Sequence, residues 1–593
     1  MYKLVQFFAD SFNPLSWLRV GTTCIPEVVL VGCLSLMATP LAAQNRPTLP
    51  QGQLPPLQPV LPSPEPPPTT DPLPPLEELL PPFKVTPSPT QTSSEEIPGT
   101  IIVNQFQVIG STVFSAEELA ELLKPFTGRP ISFAELLQAQ EAVTQLYQTQ
   151  GYINSGAFIP PQSLENGVVT IEVVEGQVES IEVTGTRHLK PGYIRSRLAI
   201  ATEAPLNQNR LLNALQLLQL DPLLENLTAE LAAGARPGSS VLSIQVQEAD
   251  AFSSQLSIDN QRSPSVGSVR RQVQLTHGNL LGFGDRFNLN YTNTDGSNSL
   301  DDVSYTLPIN PRNGTLTFSY NRSSSDIIEK PFDELEIESK SRTYELTYRQ
   351  PIEQTPTEEL AFGLTASRQE TETSLLGIPF PLSAGANDDG ETRISALRFF
   401  QEYTQRSNRE VLAMRSQFSL GIGAFDATIN NDAPDSHFFA WRGQAQYLRL
   451  LAPDTILLLR SDMQLADRPL VPLEQFSLGG QLTVRGYRQD ILLADNGFFA
   501  SAELRVPILR VPNWQMLVQL TPFFDFGTVW NNSNSDADIE TPTLSSVGLG
   551  LRFLLGTRFN ARLDWGIPLV NLDSSGDTLQ EKGIYFSIQY SLF

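Results

Sequence analysis

At 593 residues the chain is too long for one ordinary core, and its 40% apolar content suffices for several folded units. A net charge of −24, with 40 Lys and Arg against 64 Asp and Glu, argues against a nucleic-acid surface, which needs clustered basic residues. Cysteine occurs only at Cys24 and Cys33, so a chain processed beyond them has no disulfide, thiolate metal site or thiol nucleophile.

Residues 28–43 are apolar and end in small residues before Gln44. That pattern predicts a signal peptide over 1–43 that is removed on export. A membrane anchor would need about 20 apolar residues, and Pro40 interrupts a shorter stretch. A lipoprotein box at Cys33 is the other reading, but the apolar run continues past it. Residues 44–99 hold 18 of the 46 prolines and form a linker that cannot bury a core.

From Thr100 the pattern turns to mixed α/β. A strand is predicted over 101–109. Ser115 and Glu118 form a capping box that opens a helix over 116–124. Ser132 caps a second helix, with Phe133, Leu136, Leu137, Val143, Leu146 and Tyr147 at helical spacing and Gly151 ending it. Strands are predicted over 157–159 and 168–174, the second after the turn Glu165-Asn166-Gly167. The same β-α-α-β-β order then repeats, with strands over 178–183, 227–232 and 241–246 and helices over 191–198 and 207–218. The two modules are placed at 100–176 and 177–250.

After Asp250 the period becomes two and stays so to the C-terminus. Sixteen strands fit residues 251–593. Their connections alternate between short (279–284, 310–314, 452–454, 556–557) and long and polar (321–341, 370–391, 466–496, 527–545). Short turns on one side and long loops on the other predict an antiparallel transmembrane β-barrel of the outer-membrane type. The last strand shows it best: Ile584, Phe586, Ile588, Tyr590 and Leu592 make an apolar face, and Ser587, Gln589 and Ser591 a polar one.

Particular residues add a resemblance. Pro160, Pro161 and Gln162, followed by Gly167 and Gly176, are similar to the first POTRA domain of the two-partner secretion transporters, the haemolysin secretion/activation proteins. The second module resembles their second POTRA domain. Phe476, Gly479 and Gly480 followed by Val484, Arg485, Gly486 and Tyr487 resemble the family's loop-six motif. Phe523, Asp525 and Gly527 resemble its partner motif on strand 13. Gly583, Phe586, Ile588 and Phe593 resemble the signal by which such barrels are recognised for assembly. The resemblance covers 100–593; the proline-rich linker is longer than usual, and the family's plug helix has no convincing counterpart.

The resemblance implies an all-β, 16-stranded antiparallel barrel in the outer membrane, preceded by two periplasmic α+β POTRA domains. It also implies that loop six folds inward and that Arg485 pairs with Asp525. An arginine fork can fix a loop bidentately on a carboxylate. A wet lumen would hold the cost of losing one partner below the ~3–5 kcal/mol of a secluded pair. The partners implied are a large unfolded exoprotein in the periplasm, outer-membrane lipid and the barrel-assembly machinery.

Enzyme chemistry finds little support. His188, His277 and His437 lack metal-ligand spacing, and neither G-x-x-x-x-G-K-[ST] nor G-x-S-x-G occurs. No cofactor is expected. Three functions remain: export of a partner protein, insertion of other barrels into the outer membrane, and passive diffusion. Two POTRA units and the Pro-Pro-Gln element favour export, and a passive pore would have no use for periplasmic modules.

Overall fold

The computed structural model describes residues 100–592 except 165, 432–433, 533–538, 540–541 and 573–575. The expected signal peptide and linker, Glu165 and Phe593 lie outside the described residues.

The first module runs β1 (Thr100–Val103), β2 (Gln105–Ile109), α1 (Ala116–Leu123), β3 (Arg129–Ser132), α2 (Phe133–Thr149), β4 (Gly156–Phe158) and β5 (Val168–Val174). Ser115 and Ser132 each accept a backbone N–H at the helix start, and Glu118 and Glu135 return the bond to the cap. β5 is central, parallel to β2 and antiparallel to β4, while β1 pairs with β3. The predicted strand over 101–109 is therefore two strands. Asn104 breaks it by giving its N–H to Gly167 O (2.8 Å), and the halves pair with different partners. The helix face also differs from its expected pattern: Leu136, Ala139, Val143 and Tyr147 are buried, but Phe133 and Leu137 are exposed.

The second module repeats the plan with β6 (Gln177–Thr184), α3 (Pro191–Ala201), α4 (Gln208–Gln219), β7 (Leu224–Ala233) and β8 (Ser239–Glu248), in sheet order β6-β8-β7. Each module has its own apolar core, one around Tyr147 and Ile171, the other around Ile194, Leu215 and Leu242.

One device recurs in both. Gly110 and Gly185 (φ +85° and +87°) follow β2 and β6, and a Cβ there would lie 2.4 Å from Val173 O and 2.0 Å from Val246 O. Two residues beyond each of those carbonyls stands a glutamate. Glu175 accepts the N–H groups of Thr112 (2.7 Å) and Val113 (3.2 Å); Glu248 accepts those of Arg187, His188 (3.0 Å) and Leu189 (2.9 Å). Burial raises both carboxyls, but these N–H donors, joined at Glu175 by the hydroxyls of Thr112 and Tyr147, outweigh it and hold both below the usual carboxylate range. A lowered folded pKa contributes stability above the unfolded value near 4.3, and that contribution is lost as pH falls through the folded value. Residues 100–250, expressed alone, should thus lose stability progressively on acidification below about pH 5. Glu175→Gln with Glu248→Gln should lower the melting temperature at neutral pH and flatten the acid limb. Unchanged pH dependence in the double variant would show that the device stores no stability.

The remainder closes into a barrel of sixteen antiparallel strands. They are β9 (Phe252–Asp259), β10 (Arg270–Gly278), β11 (Arg286–Asn293), β12 (Ser297–Pro308), β13 (Thr315–Asp326), β14 (Glu338–Gln354), β15 (Glu358–Leu375), β16 (Glu391–Arg406), β17 (Glu410–Ile422), β18 (Phe439–Ala452), β19 (Thr455–Ala466), β20 (Asn496–Val511), β21 (Met516–Trp530), β22 (Thr543–Leu555), β23 (Phe559–Pro568) and β24 (Ile584–Ser591). β24 pairs with β9 to close the ring. Ile378–Pro379 folds back on β15 without crossing the wall.

Alternation places Leu563 and Trp565 outside and Arg562 and Asp564 inside, as a lipid-facing wall with a polar lumen requires. Several long loops are shorter than their sequence suggests. Ser323–Asp326 pairs with Glu338–Ser341, and Glu370–Thr373 continues the ladder of β15. Beyond the bilayer both faces of a strand meet water, so the alternation that marks a strand disappears while its pairing persists.

The second module sits against turns of the barrel. Lys190 N–H donates to Gly282 O (2.9 Å), its ammonium lies 3.2 Å from the Phe283 ring centroid, and Arg197 donates to Asn313 (2.9 Å). These turns join β10 to β11 and β12 to β13, on the rim that the resemblance expects to face the periplasm.

Candidate functional site

Loop six, residues 467–495, leaves β19 on the far side from the periplasmic modules and turns back into the lumen. Phe476–Leu478 pairs with Leu492–Ala494 and stiffens it. Phe476, Leu478, Val484 and Tyr487 form an apolar cluster with Phe499, Val529 and Leu544 of the wall. The wall is hollowed to receive them. A Cβ at Gly497 would lie 2.1 Å from the Phe476 ring, and one at Gly527 would lie 2.4 Å from Leu478 Cδ1.

Arg485 stands at the centre. Its Nε and Nη2 donate to Asp525 Oδ2 (2.7 Å) and Oδ1 (2.8 Å), and its own backbone N–H also reaches Oδ2 (3.1 Å). Nη1 donates to Glu503 (2.7 Å), and the guanidinium carbon lies 3.4 Å from the Phe523 ring centroid. Ser501 Oγ donates to Asp525 Oδ1 (2.6 Å). Asp525 projects inward from β21, the thirteenth barrel strand, whose Phe524 faces lipid. Arg485 and Asp525 are both 0% exposed. The expectation of a water-weakened pair is therefore corrected: loop six itself, packed over the pair, excludes the water.

Three guanidiniums and three carboxylates balance here. Glu503 also binds Arg505 (3.0 Å) and Arg562 (2.7 Å), and Arg562 reaches Asp564 (2.7 Å). Close pairing of opposite charges is what offsets the cost of burying them.

The tip is held by contacts that the sequence motifs do not announce. Tyr585 of β24 accepts the Gly486 N–H (3.0 Å) and donates to Tyr487 O. Tyr487 Oη accepts the Val570 N–H (3.1 Å) and lies 2.8 Å from Ser545 O. Gly486, at φ +97°, lies against Gly566, where a Cβ would be 2.5 Å from Gly486 N and 2.8 Å from Arg485 C. Gly583 completes the contact, since a Cβ there would lie 2.0 Å from Gly566 O. Tyr585 had a readable signal, a large aromatic on the lumen face of the last strand; Gly566 had none. Tyr585→Phe should leave the Gly486 N–H and Tyr487 carbonyl unpaired and loosen the tip by about 1–3 kcal/mol. Faster hydrogen exchange at 484–488 checks this, and unchanged exchange would contradict it.

The other sequence-singled residues lie elsewhere. Gln162 pairs its amide with both the N–H and C=O of Thr170 (2.7 Å each), extending the sheet edge where β4 stops. Pro160 and Pro161 lead into it. Gly167 receives the Asn104 N–H, and Gly176 accepts the Leu206 N–H (2.7 Å) at the joint between the modules. Ile588 is exposed on the lipid face and Phe586 is half-buried. Of the described residues of the expected assembly signal, Gly583 lies against loop six. Among the described residues no cluster of His, Cys, Asp and Glu could hold a metal ion.

Comparison with known proteins agrees along the chain. The haemolysin secretion/activation protein ShlB/FhaC/HecB family matches residues 238–553, and the ShlB-type POTRA domain matches 101–176. The heme/hemopexin transporter protein HuxB of Haemophilus influenzae (strain 86-028NP) is 24% identical over 492 residues, covering 78% of this chain and 82% of that one. The outer membrane transporter CdiB of Escherichia coli is 24% identical over 508 residues, covering 83% of each. In structure, CdiB from Escherichia coli superposes with TM-score 0.65 at 21% identity, over 84% of this chain and 92% of that one. BamA from Haemophilus ducreyi lacking POTRA domains 1–3 gives 0.51 at 14%, over 83% and 100%. Both structures speak to the fold. The family match spans more than half of the chain, and with it this protein belongs to the haemolysin secretion/activation family, the outer-membrane transporters of two-partner secretion.

Proposed function

We propose that the protein exports one unfolded exoprotein through its lumen without ATP, and that the POTRA modules recognise that partner. The observation that carries this is loop six: a long segment folds back into the lumen and is held there by non-covalent contacts centred on the buried Arg485–Asp525 pair. Arg485 and Asp525 set its position, with Val484, Gly486, Tyr487, Phe523 and Gly527 shaping the seat. The loop leaves this seat to open the path and must return to it, so an unanchored loop halts export as a locked one does. In the sheets β2-β5-β4 and β6-β8-β7, the outer strands keep an unpaired edge among the described residues, where an extended partner can add main chain to main chain. The sequence carries no nucleotide-binding loop, and folding of the product outside supplies the direction. Gly583, Phe586, Ile588 and Phe593 serve barrel assembly, and no step calls for catalysis.

Purified protein in lipid vesicles, given the unfolded exoprotein on the POTRA side without nucleotide, should deliver protease-protected product. Product that stays accessible, with faster insertion of added barrel precursors instead, would replace export with barrel assembly.

A further inference from the structure

Below loop six the lumen widens into a cavity of about 330 Å³. At the ~30 Å³ share of a liquid water, it has room for about ten waters. Its wall holds Arg460 on β19, Arg505 on β20, Arg552 on β22 and Arg562 on β23, against only Asp462 and Glu503. In a chain of net charge −24 this local excess of cations is unexpected.

Both carboxylates are already engaged by other donors. Asp462 is held at both oxygens by Arg442 (3.0 and 2.6 Å). Glu503 already serves Arg485, Arg505 and Arg562. Among the described residues, Arg460 and Arg552 have no carboxylate within 4 Å. Arg460 gives one bond to Leu482 O (3.2 Å), and its buried Nε has no hydrogen-bond partner. Arg552 has a single long contact to Asn560 (3.4 Å) and stands directly across the ladder from Arg562. Like charges opposite one another on a sheet are destabilising. Ionisable groups kept inside a membrane protein at such cost mark sites where something charged binds.

We propose that Arg460 and Arg552 form a carboxylate-binding station for an acidic segment of extended polypeptide. A guanidinium binds a carboxylate through paired N–H bonds, and both have donors unspent. Gln444 and Gln589 on the same wall offer amides to a passing main chain. The cavity exceeds what one small anion fills. The occupant as a peptide rests on the lumen being the export path; the anion preference rests on the two arginines alone.

The test uses full-length protein in detergent and a fluorescein-labelled (Glu-Ser)6 peptide, with (Gln-Ser)6 as its neutral match, read by anisotropy. The wild type should bind the acidic peptide at least tenfold more tightly than the neutral one. Arg460→Gln with Arg552→Gln should abolish that preference, and Arg460→Lys with Arg552→Lys should retain much of it. Heat-modifiable migration reports that each barrel is folded, and the lysine variant keeps the test decisive if the glutamine variant is not. Three results would each overturn the station: no preference in the wild type, an unchanged preference in the glutamine variant, or displacement by acetate at matched carboxylate concentration. Partner export measured in parallel separates the two readings. Export without peptide preference removes the station alone, whereas preference without export keeps the anion site and removes the path.

Discussion

Arg485→Ala is expected to lower export at least tenfold while leaving a heat-modifiable barrel in the membrane. The barrel survives because its stability lies in the closed ladder of β9–β24, which one lumen contact does not sustain. The loop does not keep its seat. Removing one member of a buried pair costs about 3–5 kcal/mol, most of it from the charge left behind. Asp525 is the orphan here, because Glu503 retains Arg505 and Arg562 whereas Asp525 keeps only the Ser501 hydroxyl and the residue-485 N–H. About 1.4 kcal/mol is tenfold in an equilibrium, so this loss can outweigh the apolar seat of Phe476 and Leu478. Arg485→Lys keeps the charge without the fork and should fall between the two. In a double-mutant cycle with Asp525→Ala, coupling of about 2 kcal/mol or more is expected for groups in direct contact. Additive effects would show that the residues act separately.

Gly566→Ala should displace the loop tip nearly as strongly, although it changes one hydrogen to a methyl group far along the chain. The new Cβ would meet Gly486 N at 2.5 Å and Arg485 C at 2.8 Å, both backbone atoms with no rotamer to escape into. The wall cannot yield, since the Gly566 N–H is bonded to Gly583 O (2.8 Å) and Gly548 stands opposite on β22. The tip must therefore move and carry Arg485 off Asp525. Limited trypsin digestion reads this directly: Arg485 (0% exposed) and Arg488 (17% side-chain exposure) are sheltered in the wild type and should be cut in the variant. Gly192→Ala in α3, where a Cβ meets nothing within 4 Å, is the control and should leave export and digestion unchanged. An uncut loop in Gly566→Ala would mean that the tip does not depend on this contact.

What the sequence reveals follows the range of the forces involved. Ser115 with Glu118, and Ser132, are legible as helix starts because a cap is settled within four residues. The sixteen strands are legible because a period of two, weak in each strand, accumulates over the barrel. Where lipid ends the signal ends, and the ladder of Ser323–Asp326 with Glu338–Ser341 passes unnoticed. Asn104 is hidden for a different reason: alternation runs on through it, and only the competing partners β3 and β5 split the strand. Within the site, Arg485 and Asp525 stand out by their motifs. The seclusion of the pair does not, because it depends on Gly486 meeting Tyr585, 99 residues away, and on a glycine at 566 with no motif around it. The surplus of arginine at 460 and 552 is equally silent until register shows which carboxylates are already taken.

Loop six lies in the path assigned to the exported chain, so export should require that the loop leave its seat. Leu478→Cys with Gly527→Cys would fasten the loop to β21, since Leu478 Cγ lies 3.1 Å from the position of a residue-527 Cβ, within the geometry a disulfide needs. The chain has no cysteine beyond Cys33, so no other pairing competes in the barrel. Export of the exoprotein is then measured on the same membranes before and after reduction. The expected result is no export while the disulfide is intact and recovery once it is reduced; export that continues at the wild-type rate with the disulfide intact would contradict a path through the lumen.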